Sequence, residues 1–244
     1  YWRDWSSYVC SSDLLAVVLQ FQFTRMLAAA LGLSVGVRSG ALFLVFASPM
    51  FYATTAHVAN DWLAVPLATL FFACLVRFWR NPTARVAAGL GFATALGLLT
   101  KAYFLAWAGL LFGVAGWMWW RGRAPGKSVA LVLVTMALAA PWYIRNLVLY
   151  GSLAGLQQSA DGVTLSGIVT AARRASWGAD MLGLLHGAVW TGNSSFNSFS
   201  VRTVDLILVV LAASLLVWVW HSRLGYEWLV AAGCLTFLAA IAYH

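Results

Sequence analysis

Between Val86 and Trp120 the chain carries one charged side chain, Lys101. The runs on either side of it, residues 86–100 and 102–120, are apolar throughout. Comparable runs recur at residues 40–57, 63–79, 128–144, 204–220 and 227–243, with a shorter one at 14–24. A helix needs about twenty predominantly apolar residues to cross a bilayer, and a segment apolar on every side has no face to give to water. The whole chain is 62% hydrophobic and 9% charged, with 14 Trp. A soluble domain carries about 25% charged residues. The predicted fold class is therefore an all-α integral membrane protein, a polytopic helical bundle of about seven complete spans plus one truncated. The runs have helix length and lack strict alternation, which argues against an outer-membrane β-barrel.

Charge then predicts sidedness. The connections between runs place Arg25, Arg38, Arg77, Arg80, Arg85, Arg121, Arg123, Lys127 and Arg223 on one side, and Lys101, Arg145, Arg173, Arg174 and Arg202 on the other. Nine against five assigns the first side to the cytoplasm. The net charge of +8 is thus a topology signal rather than a nucleic-acid footprint. Cys74 and Cys234 lie within apolar runs, where they read as small hydrophobes rather than a disulfide framework. Asn81-Pro82 reads as a helix breaker, and the Gly- and Ala-rich run 86–100 suits close helix packing.

The organisation predicted along the chain has four parts. Residues 1–13 read either as non-native, because Val9-Cys10-Ser11-Ser12-Asp13-Leu14 matches the translation of a common sequencing adapter, or as an ordinary polar N-terminal tail. Residues 14–149 form a transmembrane core, 150–202 an extracytoplasmic segment, and 203–244 the C-terminal spans. With apolar runs cut at both ends, the whole is expected to be an internal fragment. Within 150–202, Leu165, Ile168, Val169 and Ala172, then Met181, Leu184, Leu185, Ala188 and Val189, recur at helical spacing. They predict short amphipathic helices lying in the interface, with Trp177 and Trp190 as anchors.

Several polar residues fall on the predicted extracytoplasmic side. Asp61 follows His57 and Asn60 at the tip of a hydrophobic hairpin. It reads either as the N-cap of the next helix or as part of a site, and the two roles are compatible. His57 and Asp61 are the metal-ligand candidates, although two ligands fall short of a specific metal signal. Lys101 between apolar runs is costly unless it reaches water or an anion, so it reads as a snorkelling side chain or a phosphate contact. Arg145, beside Asn146 and an aromatic pair, has the same two readings, and its planar fork suits phosphate. His186 lies on a mostly apolar stretch and reads as structural. Nothing in the sequence matches a Walker loop, GxGxxG, CxxC or HExxH.

Three short motifs carry a resemblance. They are Pro49-Met50-Phe51 with Asn60-Asp61-x-Leu63-Ala64, then Gly97-Leu98-Leu99-Thr100-Lys101, then Pro141-Trp142-Tyr143-Ile144-Arg145-Asn146 with Tyr150-Gly151. In this order they resemble bacterial GT-C membrane glycosyltransferases of the protein mannosyltransferase and aminoarabinose-transferase type, glycosyltransferase family 39. The resemblance implies an inverting transferase of the bacterial inner membrane. Its donor would be a polyprenyl-phosphate sugar, and its acceptor a glycan, lipid or protein on the extracytoplasmic face. It implies an aspartate general base in an external loop upstream of these residues, so no catalytic residue is assigned and the fragment alone is expected to be inactive. By the same resemblance Asn60, Asp61, Lys101, Arg145 and Asn146 are substrate-binding candidates. A divalent metal is the one cofactor it leaves open. The competing readings are a multi-span transporter or lipid flippase, an O-antigen ligase or polymerase, and a purely structural membrane subunit.

Overall fold

The structure is a computed structural model that describes residues 11–48, 51, 61–151, 170, 176–179, 182, 183, 186, 202, 205–210, 212, 213 and 227–241. Among the described residues every regular element is helical and none is a strand. In chain order the helices are α1 (Ser11–Ala30), α2 (Val35–Ala47), α3 (Asp61–Arg80), α4 (Ala84–Thr100), α5 (Phe104–Trp120), α6 (Gly126–Met136), α7 (Ala140–Tyr150) and α8 (Glu227–Ile241). A 3₁₀ turn, Ala137–Ala139, joins α6 to α7, and the three make one helical run of 25 residues, Gly126–Tyr150. That run and Trp62–Arg80 are long and apolar enough to cross a membrane, and α1, α2, α4 and α5 are shorter apolar helices.

Local sequence explains the boundaries. At the end of α1, Gly32 takes φ +78° while Leu33 N–H donates to Ala28 O and Gly32 N–H to Ala29 O. This is the paired 6→1 and 5→2 bonding that satisfies the last carbonyls of a helix. The same device closes α5, where Gly122 has φ +65° and Arg123 N–H reaches Met118 O. Asn81-Pro82 ends α3 at Arg80, and Thr83 caps α4 by accepting from Val86 N–H. The 3₁₀ turn has an equally local cause. Pro141 has no N–H to give Ala137 O, so Ala140 N–H bonds that carbonyl one residue early.

Two expected boundaries are corrected. Of the predicted span 40–57, residues 40–47 belong to α2, which starts earlier, at Val35, and stops at Ala47, while residues 49, 50 and 52–57 lie outside the described residues. Pro49 disfavours helical geometry at the residue before it, and Ser48 is extended at ψ 116°. The predicted connection 25–38 shrinks to residues 31–34, because α1 continues through Arg25 to Ala30. Arg25 lays its guanidinium over the Phe21 ring at 5.6 Å, so a charge there does not end the helix.

Contacts fix the relative directions of the helices. Gln20 Nε2 donates to Thr69 Oγ1 at 3.1 Å and Arg80 Nη1 to Ala30 O at 2.7 Å, so α1 and α3 run parallel. The short turns at 81–83 and 101–103 make α3, α4 and α5 successive antiparallel neighbours. Ser128 Oγ donates to Pro82 O at 2.6 Å and Tyr143 OH to Leu98 O at 2.8 Å, so α6 and α7 run parallel to α4. Trp107 Nε1 donates to Gly233 O at 2.9 Å, and Trp228 meets Trp79 edge-on at 4.8 Å, so α8 runs antiparallel to α3 and α5. The core lies along α3, α4 and α5, where Phe71, Leu75, Phe78, Leu90, Phe104, Leu111 and Met118 are fully buried.

One end of this arrangement is basic. It gathers Arg80, Arg85, Arg121, Arg123 and Lys127 with a tryptophan cluster. Trp79 stacks on Trp117 at 5.0 Å and 8°, and the Arg123 guanidinium lies 4.9 Å from the Trp79 centroid. At the opposite end α3 begins, α4 finishes and α7 finishes.

Candidate functional site

The opposite end holds the sequence motifs. α3 starts there at Asp61, and an acidic residue in the first helical turn is favoured by the helix dipole. The Asp61 side chain, His57 and Asn60 lie outside the described residues, as do Arg173, Arg174, Asp161, Asp180 and Trp190. α4 ends there with Thr100 and Lys101. Lys101 is the C-cap residue, half-buried, with its backbone N–H on Gly97 O. Thr100 gives its hydroxyl proton to Leu96 O at 2.8 Å, within its own helix.

The last carbonyls of a helix lack intrahelical donors. Lys101 N–H takes Gly97 O, and the Tyr143 hydroxyl takes Leu98 O. The bond is buried, with Tyr143 9% and Leu98 7% exposed. It joins the Gly97–Lys101 motif to the Pro141–Asn146 motif across 45 residues of sequence. A second close approach helps. A Cβ at Gly97 would overlap the Phe104 ring, so a side chain there would force that buried ring to shift.

Helical spacing divides the third motif into two faces. Tyr143 and Asn146 are one turn apart and both buried, Asn146 at 3% exposure. Trp142 and Arg145 share an exposed face, with the Arg145 guanidinium 5.4 Å above the Trp142 ring. The adjacent candidates Arg145 and Asn146 therefore point differently, and only Asn146 shares the buried face with Tyr143. Gly151, at φ +65°, ends α7 immediately afterwards.

Tyr143 was not singled out in the sequence as a site residue. Its signal was its position three residues before Asn146, one turn away on the same helix face. His186, read as structural, lies within hydrogen-bond distance of Asp205, its Nε2 being 2.8 Å from Oδ1. Parts of the segment expected to be amphipathic, at 177–179, 182, 183 and 186, are helical, and Trp177 is 51% exposed. Among the described residues no three metal-ligating side chains gather. Compared with protein families, curated proteins and solved structures, the chain matches none of them.

Proposed function

We propose that the chain is the membrane-embedded helical part of a glycosyltransferase that takes a sugar from a polyprenyl-phosphate donor and passes it to an acceptor at one face of a bilayer. The Tyr143–Leu98 hydrogen bond carries this reading. It puts Thr100-Lys101 and Arg145-Asn146, two of the three motifs behind the resemblance, at one end of parallel helices. Asp61 opens α3 at that same end.

The membrane setting is supported by the helix surfaces. Along Gly126–Tyr150, Val134, Leu138, Ile144 and Val148 are each at least 60% exposed. An apolar face of that length on a soluble surface would be an association site, whereas lipid tails solvate it at no cost. The basic end faces the cytoplasm on this reading, and the motif end lies outside it.

On this reading Lys101 and Arg145 are the cations of the motif end that would meet a lipid phosphate, where positive charge lowers the energy of the charge that develops as the phosphate leaves. Asp61 orients the sugar or the acceptor hydroxyl. No residue of this chain is assigned as the general base that takes the acceptor proton.

The test is binding of undecaprenyl phosphate to the purified chain in detergent, with Lys101→Ala and Arg145→Ala as variants. Loss of a charge-assisted hydrogen bond is expected to weaken binding by about tenfold or more in each. Wild-type affinity in both variants would remove the phosphate assignment.

A further inference from the structure

A groove at the basic end is independent of the motif end. It has a volume of about 470 Å3 and runs between α1, α2 and the last turns of α3. Gln22, Arg25, Arg38, Ser39 and Arg77 give it polar walls, and Met26, Ala29, Val35 and Leu42 give it an apolar floor. Among the described residues that line it, none is acidic.

Three guanidiniums in one groove repel each other, and Arg38 and Arg77 are half-buried, which withdraws water that would screen them. Arg38 is anchored through a single atom, Nε, which donates to Leu33 O at 2.6 Å. That bond engages Nε and none of the terminal N–H groups, and Arg38 lines the cavity with a planar cation of the kind that suits phosphate recognition. Arg25 comes from α1 and Arg77 from α3, so three separate helices each contribute one cation.

We propose that this groove is a binding site for a phosphate-bearing anion, held by Arg25, Arg38 and Arg77. The chemistry fits either an anionic phospholipid headgroup, whose glycerol and first methylenes would lie on the apolar floor, or a free phosphate compound. Basic pockets between helices on the cytoplasmic side of a membrane take such headgroups. The site goes beyond the transferase reading, since it lies at the other end of the helices and shares no residue with it.

The experiment titrates the purified chain in nonionic detergent with dioleoylphosphatidylglycerol, with dioleoylphosphatidylcholine, and with inorganic pyrophosphate. Variants are Arg25→Gln/Arg77→Gln in the groove and Arg121→Gln/Arg123→Gln at the same end outside it. Arg25→Gln alone serves as the milder variant, because that side chain is exposed and its loss leaves the helix contacts intact.

Phosphatidylglycerol binding that weakens by about tenfold per arginine in the groove variants, and much less in the outside pair, supports the proposal with a lipid headgroup as source. Pyrophosphate binding with the same variant pattern supports it with a free phosphate source. Equal binding of phosphatidylcholine, no binding of either anion, or equal losses in the groove and outside variants would overturn it. Lys101→Ala and Arg145→Ala should leave groove binding unchanged, so failure here and failure of the transferase reading are separately visible.

Discussion

The crossing of α4 and α6 gives a quantitative test, because two glycines two residues apart on α4 should respond in opposite directions. Gly91 is buried, and a Cβ placed on it would overlap Thr135 Oγ1 and the backbone carbonyl of Val132. Thr135 cannot easily swing aside, since its hydroxyl is bonded to Leu131 O at 2.8 Å. The carbonyl cannot move without moving α6. Gly89 is exposed, and a Cβ there meets nothing within 4 Å. Alanine in place of glycine gains about 1 kcal/mol of helix propensity at either position. Overpacking a tight contact costs about 1–3 kcal/mol. Gly89→Ala is thus expected to be neutral or stabilising by up to about 1 kcal/mol, and Gly91→Ala to lie about 1–3 kcal/mol below it. Comparing the two variants cancels the propensity gain and leaves the cost of the close approach. The assay is SDS titration of the purified protein in mild detergent, followed by the fluorescence of its tryptophans. Adding Thr135→Ala to Gly91→Ala should restore part of the loss, because the hydroxyl overlap goes and the carbonyl overlap stays. Equal midpoints for Gly89→Ala and Gly91→Ala would refute the reasoning that glycine sets the distance between α4 and α6.

Other hydrogen bonds give smaller tests by the same assay. Tyr143→Phe leaves the Leu98 carbonyl buried without its donor and should cost about 1–3 kcal/mol, while also loosening the binding of undecaprenyl phosphate. Ser128→Ala removes the bond to Pro82 O, and because Pro82 is only half-buried, water can replace the donor and the loss should be nearer 0.5–1.5 kcal/mol. A larger loss at Ser128 than at Tyr143 would reverse the ranking that burial implies.

The helices were readable in the sequence where one physical effect dominates. A charge-free run such as 102–120 satisfies its backbone by curling into a helix, and α5 duly covers Phe104–Trp120. Breaks at Asn81-Pro82 and at Lys101 also fall where the sequence puts them, since proline and a lone cation between apolar runs are strong punctuation. Even Pro66 inside α3 left the 63–79 run intact, because it removes one bond, the one to Trp62 O, from a helix packed on its neighbours. The misread ends were those where side chain and backbone compete. Arg25 reads as a loop residue but lies along α1 over Phe21, and α2 ends at Ala47 with Ser48 extended, inside a run that reads as unbroken. The site was less legible, because a bond such as Tyr143 to Leu98 depends on how α4 and α7 come together. What the sequence did contain was the helical turn from Tyr143 to Asn146, and that spacing alone separates Asn146 from Arg145.

The arginines of the basic end divide by what already holds them, and that division bears on both proposals. Arg80 is committed to Ala30 O, where it ties α3 to the end of α1. Arg121 lies over Trp117 and Trp120, and Arg123 over Trp79 and Trp117, with each guanidinium 4.9 to 5.8 Å from its rings. These contacts orient the planar cations and cover part of their donor surface, as expected for residues that fix where helices end at an interface. Two of the groove arginines differ, because Arg38 is held at Nε and Arg25 rests on a Phe ring. A charge count treats all these residues as one topological signal. The geometry separates arginines already engaged by the fold from those that the groove proposal gives a ligand. It follows that removing Arg121 and Arg123 should lower stability more than anion binding, and that removing Arg25 and Arg77 should do the reverse.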